Sequence, residues 1–418
     1  MSRDIQPSAE RIWADIEALS KITDPALPGW TRQALTQADV DGRHRVRESM
    51  QQAGMETWID TAGNVIGVLA GTAGGGRQLM LGSHTDTVEG GGRFDGVCGV
   101  VGAIEVVRAL READRRLRHD LVVVDFFSEE PNHFGLSCVG SRAMTGALGH
   151  DALGWTDSTG VAFADVLPKA GIDPARIGEA VWDFSKVTAF LELHVEQGPH
   201  LEELGTQIGL VETITGVSRF RALFHGQSDH AGTTPMSRRH DAGCAAAGTV
   251  LAVERIASGQ REAKGTVGSL TFTPEAVNVV TRRAEMRGEF RSPDGTWLRH
   301  AEESLTRAAA TQAAGRGVTV HVEWSPRQEP AALAGGLLGT VADAVDGLGL
   351  SRSTLYSGAE HDAAVLARRV PTAMLFVPSR DGRSHCAEEF TDPADITAGV
   401  TALAESVLRV DAAGGTTS

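Results

Sequence analysis

"DLVVVDFFSEE", residues 120–130, decides the fold. It is a near-continuous run of β-branched and aromatic residues that ends in the adjacent carboxylates Glu129 and Glu130. A strand covered on both faces needs apolar side chains pointing both ways, so an unbroken run marks a buried parallel strand rather than a half-solvated one. Open α/β sheets hold ligands at the carboxyl ends of such strands. Neighbouring residues at a strand end point apart, so Glu129 and Glu130 can serve two different tasks.

Working outward, "QLMLGSH" (78–84) and "NVIGVLAG" (64–71) read as short strands, and "GVVGAIEVVRALREA" (99–113) as a helix. "AFLELHVEQGPHLEE" (189–203) is an apolar strand that delivers His194, and "PTAMLFVPS" (371–379) is another buried strand. Helices are expected over 8–21, with Ile12, Ile16 and Leu19 on one face, over 39–53 and over 393–409, ahead of a fraying polar tail. This alternation predicts an α/β sheet. The character changes near residue 216: "SRFRALFHG" (218–226) and "RAEMRGEFRS" (283–292) alternate, 241–257 and 296–314 read as helices, and 318–325 as a strand. The order predicts an inserted two-layer α+β unit of ferredoxin-like type. The expected division is 1–215 with 328–418 as one discontinuous domain and 216–327 as the insert.

Two domains also suit 418 residues of 41% hydrophobic content. Lys and Arg total 39 against 54 Asp and Glu, a formal charge of −15, which argues against nucleic acid as a partner. Cys98, Cys138, Cys244 and Cys386 form no CxxC pair, which predicts neither a disulfide framework nor a zinc ribbon and suits a reducing compartment. The N-terminal stretch has no apolar signal region, and no apolar run is long enough to span a membrane. A cytoplasmic protein is the expectation.

"GSHTDTVEGGGRFDGVCG" (82–99) places His84, Asp86 and Asp95 in a glycine-rich stretch after the strand. Alone, it is either a metal site or a polar turn. "GTAGGG" (71–76) lacks the GK[ST] ending of a phosphate loop and reads as a turn.

Five motifs in register decide between the readings: 82–99, "FFSEEPNHFG" (126–135), "LELHVEQGPHLE" (191–202), "SDHAGTTPM" (228–236) and "RSHCAEEF" (383–390). Together they resemble the M20-type dinuclear metallohydrolases. More narrowly, they are similar to the hydantoinase/carbamoylase amidases, which include N-carbamoyl-L-amino acid hydrolases, β-ureidopropionase and allantoate amidohydrolase. The resemblance implies an α/β catalytic domain with a dinuclear metal site, and an inserted domain that acts as lid and dimerisation unit. It implies that His84 and His194 bind one divalent ion, that Glu130 and His385 bind a second, and that Asp95 bridges them, with room for a shared water. A ligand set of imidazoles and carboxylates suits Zn, Mn, Co or Ni.

The same resemblance makes Glu129 the general base and then the acid, and Asp86 the carboxylate that accepts the free ring N–H of His84. It places Gln197 on the substrate and His230 in the partner subunit's active site, supporting an oxyanion in a homodimer. Asn278 and Arg291 clamp the substrate's carboxylate. His194 stands where related aminopeptidases and deacylases usually carry a carboxylate, which points to the carbamoylase side. Three stretches depart from the family: "SGAEHDA" (357–363) puts Glu360 near the pocket in place of a small residue, "GVSRF" (216–220) has Val217 where the family often carries a polar group, and the loop after His385 differs. The added Glu360 carboxylate narrows the pocket, favours a cationic substrate or faces solvent. The expected reaction is hydrolysis of a linear non-peptide C–N bond, foremost an N-carbamoyl-L-amino acid giving amino acid, CO2 and ammonia. Allantoate or ureidoglycolate hydrolysis and N-acyl amino acid deacylation are the alternatives. A non-catalytic binding relative is disfavoured because every ligand position is filled.

Overall fold

A computed structural model describes residues 5–74 and 76–414. Gly75 of the expected turn and residues 415–418 of the expected tail lie outside the described residues. The chain forms two compact units, one running to Glu212 and resuming at Ala332, the other Thr213–Ala331.

The first unit is built on a nine-stranded sheet. At its centre Asp120–Phe126 pairs parallel with Gln78–His84, which pairs parallel with Val187–Val195, which pairs parallel with Thr372–Val377. On its other side Asp120–Phe126 meets Val65–Leu69 antiparallel, so the sheet is mixed. Leu121–Phe126 and the whole of Val187–Val195 are buried, as strands covered on both faces are; both runs are mainly apolar, with Asp125 in the first and Thr188, Glu192 and His194 in the second. Val97–Glu112 lies against the sheet with Val100, Val101, Ile104 and Val107 in the core. The approach is close: a Cβ at Gly99 would stand 2.2 Å from the Leu193 carbonyl oxygen. The helices Ala9–Ser20, Gln37–Gln52 and Pro393–Ala412 contribute Ile16, Met50 and Leu403 to the same core.

The second unit runs strand, helix, strand, strand, helix, strand. Its antiparallel sheet has the spatial order Thr319–Trp324, Gly216–His225, Arg283–Ser292, Lys264–Thr273. The helices Ala242–Ser258 and Gly295–Ala314, capped by Asp241 and Asp294, share a core with Phe220, Phe224, Met286 and Phe290. The alternate residues of Arg283–Ser292 carry charge: Arg283, Glu285, Arg287, Glu289 and Arg291.

Candidate metal centre

The four parallel strands end side by side, and their ends carry the chemistry. His84 closes Gln78–His84, with Asp95 in the following loop. Glu129 and Glu130 follow Asp120–Phe126, and His194 is the penultimate residue of Val187–Val195. His385 lies in the loop after Thr372–Val377. Asp95 stands among them. Its Oδ1 is 3.6 Å from His84 Nε2 and 3.2 Å from His194 Nε2, and its Oδ2 is 3.3 Å from His385 Nε2. His385 Nε2 is also 3.2 Å from Glu130 Oε1. Two triads able to hold a metal ion result, His84–Asp95–His194 and Asp95–Glu130–His385, and they share the one carboxylate. A third group, Glu192–His194–His361, shares His194. Its members are engaged within the protein: Glu192 accepts from the Ser83 hydroxyl and the Ala363 N–H, and His361 Nε2 is 2.9 Å from the Ser357 hydroxyl.

The rings are oriented for ligation. His84 Nδ1–H donates to the Asp86 carbonyl at 3.0 Å, and His194 Nδ1–H to the Val195 carbonyl at 2.9 Å. Each imidazole therefore turns Nε2 toward Asp95, as metal-binding histidines do when the other nitrogen is tied back; Nε2 of His194 also lies 3.1 Å from the Gly96 backbone nitrogen. The donor set thus fits divalent metal ions, with Asp95 common to both triads. Gly96 makes the approach possible. It has φ +65°, and a Cβ there would stand 2.5 Å from His84 Nε2. Gly96→Ala is expected to cost about 1–3 kcal/mol of stability from the positive-φ backbone alone, and to displace the His84 ring. Denaturant midpoints and metal content of the purified variant check both effects. Ser128, Gln197 and His385 also hold positive φ without being glycine. Such strain gathers where the surroundings over-determine the backbone.

Electrostatics set the ionisation of the metal-free centre. Burial pushes His84 down to about 4. Burial also acts to lower His194, but its contact with Asp95 outweighs that and holds it at about 9. Asp95 and Glu130 together raise half-exposed His385 to about 11. Burial pushes Glu129 well above the usual carboxylate range, with Glu130 and Asp362 adding like charge. Below about pH 9 the metal-free centre therefore carries protons on His194 and His385 that an ion must displace. Affinity must rise with pH: filling both positions is expected to strengthen about 100-fold per unit between roughly pH 6 and pH 9. Calorimetry in buffers of different ionisation enthalpy counts the protons released.

Some expected contacts differ. The Asp86 carboxylate does not take the ring N–H of His84. Its Oδ1 lies 3.7 Å from Nδ1, and the backbone carbonyl accepts instead. The carboxylate accepts the backbone N–H groups of Glu129 and Glu130 at 3.1 and 3.2 Å, so Asp86 fixes the turn that presents both. Gln197 donates its amide to Asp95 Oδ2 at 2.7 Å, and its Oε1 is a buried acceptor without a partner. Glu360 is neither a free cation receptor nor solvated: it accepts from Arg142 at 3.0 Å and from the Ser137 hydroxyl at 3.1 Å. Sequence reasoning passed over three neighbours of the centre. The Cys138 thiol lies 3.6 Å from Glu129 Oε1. Ser384 and Glu389 stand at the Asp95 loop, and the "SHxxxE" spacing after His385 was their only signal.

The second unit carries the other three expected residues. His230 is exposed, and its Nδ1 accepts the N–H groups of Gly232 and Thr233, which leaves the ring proton on Nε2. The Asn278 carbonyl accepts the Ala231 N–H, so these two loops run together. Arg291 lies on the sheet, its Nε 2.6 Å from Glu289 Oε1, and Glu289 Oε2 is 3.2 Å from Arg219.

A sheet of this kind, with imidazoles and carboxylates gathered at its strand ends, defines a hydrolase with a candidate metal centre. The chain belongs to peptidase family M20/M25/M40, whose signature matches residues 80–409. It is similar to the N-carbamoyl-L-amino acid amidohydrolase of Geobacillus stearothermophilus, 34% identical across 96% of this chain and 98% of that one. It is also similar to the ureidoglycolate hydrolase of Oryza sativa subsp. japonica, 34% identical across 94% of this chain and 83% of that one. A hydantoinase/carbamoylase family amidase from Burkholderia vietnamiensis superposes with a TM-score of 0.87 at 34% identity, covering 98% of this chain and 99% of that structure. Among the described residues no helix is long and apolar enough to cross a membrane.

Proposed function

We propose that this protein is a two-metal amidohydrolase that cleaves the linear C–N bond of an N-carbamoyl-L-amino acid, releasing the amino acid, CO2 and ammonia. The observation that carries the proposal is Asp95 shared between two imidazole–carboxylate triads. His84 and His194 would hold one ion, Glu130 and His385 the other, with Asp95 able to serve both. Divalent Zn, Mn, Co or Ni held there would supply Lewis acidity toward a water and the scissile carbonyl. Glu129 takes the proton from the water and returns it to the departing nitrogen. Its burial beside Glu130 and its raised proton affinity suit a group that must carry a proton between steps. Gln197 orients Asp95 through its amide N–H and meets the substrate beside that carboxylate.

The domains 1–215 with 328–418 and 216–327 divide the labour, the first for chemistry and the second for closure and dimerisation. His230 of one subunit donates from Nε2 to the oxyanion formed in its partner. Asn278 and Arg291 hold the substrate's carboxylate, with Glu289 locking one edge of the guanidinium. The protein works in the cytoplasm as a homodimer, without nucleic acid or membrane.

The similarity to a ureidoglycolate hydrolase supports a second reading with the same machinery and a ureido substrate. Ammonia release from N-carbamoyl amino acids, allantoate and ureidoglycolate, and free amine from N-acyl amino acids, separates these. Each is measured on protein stripped and reloaded with a single metal. Metal-dependent turnover of a carbamoyl amino acid supports the first reading. Turnover confined to ureidoglycolate or allantoate supports the second, and turnover of acyl compounds alone overturns both.

A further inference from the structure

We propose that Glu389 is a positioning residue that ties the two halves of the metal centre together. It does so by holding the loop that carries Asp95 and the loop that carries His385 with a single carboxylate. The proposal rests on the reading of the centre as a two-ion site. Glu389 is 2% exposed. Its Oε1 accepts the backbone N–H groups of Phe94 at 2.8 Å and of Asp95 itself at 3.0 Å. Its Oε2 lies 2.6 Å from the hydroxyl of Ser384, the residue before His385. That same hydroxyl is 2.9 Å from Asp95 Oδ2. The main chain of the bridging residue, its carboxylate and the start of the His385 loop thus meet through two side chains. The surroundings are shaped for this group: a Cβ at Gly92 would stand 2.2 Å from Glu389 Oε1.

His385 needs such a tie. It sits half-exposed on a left-handed backbone, outside any strand or helix. The coarse docking of its loop comes from Phe390, whose ring lies 5.5 Å from that of Phe94 and 6.1 Å from that of Trp13. Ring packing brings the loops together but does not set hydrogen-bond directions. Glu389 does, because its two oxygens address the two loops separately. Ser384 has one hydroxyl proton and two carboxylates in reach, so it serves one at a time. When Asp95 Oδ2 is engaged by a ligand of its own, the hydroxyl is released to Glu389.

The test uses the full-length protein and four forms: wild type, Glu389→Ala, Glu389→Gln and Ser384→Ala. Each is stripped, dialysed against Zn2+, analysed for bound metal and challenged with a chelator. Thermal unfolding of the metal-free forms serves as the control for folding. Glutamine keeps a carbonyl for the two N–H groups and an amide N–H that the Ser384 oxygen accepts, so both loops stay tied. Glu389→Gln is therefore expected to hold two ions with near wild-type release. Glu389→Ala and Ser384→Ala are expected to lose ions about 10- to 100-fold more readily, as when an outer partner of a metal ligand is removed. A merely structural residue would lower metal-free melting and leave release from the folded protein unchanged. If Glu389→Ala does not fold, Ser384→Ala and Glu389→Gln still decide. Wild-type release from folded Glu389→Ala or from Ser384→Ala overturns the proposal, as does a Glu389→Gln variant whose release matches a leaky Glu389→Ala or Ser384→Ala. A wild type that binds fewer than two ions overturns the two-ion reading and this assignment with it.

Discussion

Asp95→Ala is expected to abolish turnover while leaving a folded protein. Asp95 is the one residue in both triads, and its two oxygens face different imidazoles. Alanine removes the bridge, and with it the Lewis acidity at both positions. That contribution is several kcal/mol of transition-state stabilisation, so kcat/KM should fall by about 10³- to 10⁴-fold or more. The fold should survive. The Asp95 backbone N–H still donates to Glu389, and the Phe94–Phe390 packing beside it is untouched. The loss also relieves His194 and His385 of the carboxylate that raises their proton affinity, so both are expected to titrate lower than in the wild type. Histidine NMR titration of the metal-free variant reads this directly, apart from activity.

Glu129→Gln should lose turnover by a different route. The amide is isosteric and cannot accept the proton of the attacking water. The deficit expected for a missing general base is about 10²- to 10⁴-fold in kcat, with little change in KM. Metal content should stay at the wild-type level, because Glu129 belongs to neither triad. The turn beneath it is held through backbone N–H groups by Asp86. Loss of metal together with activity would make Glu129 a ligand rather than the base. The pair of variants thus separates binding an ion from moving a proton.

The central strands were legible because burial on both faces leaves a near-continuous apolar record, as in residues 121–127, where Asp125 alone interrupts. Their ends were legible too, since a parallel sheet must bring them to one side. Short edge strands such as Glu56–Ile59 carry no such record and were not read. Local motifs found residues; they could not find partners. Glu360 reads as an unexplained carboxylate because Arg142, which pairs with it, lies 218 residues away. Asp86 reads as a side-chain partner of His84, whereas its backbone does that work, and backbone acceptors leave no mark in a sequence. Glu389 acts on an amide 294 residues distant, in a loop that seemed only to depart from a familiar pattern.

The most direct test of the two-ion centre is anomalous diffraction, at the metal's absorption edge, from crystals of the protein loaded with Zn2+ or Mn2+. Two peaks are expected in each subunit on either side of the Asp95 carboxylate, one against His84 and His194 and the other against Glu130 and His385. A single peak, or peaks that avoid Asp95, would contradict that arrangement.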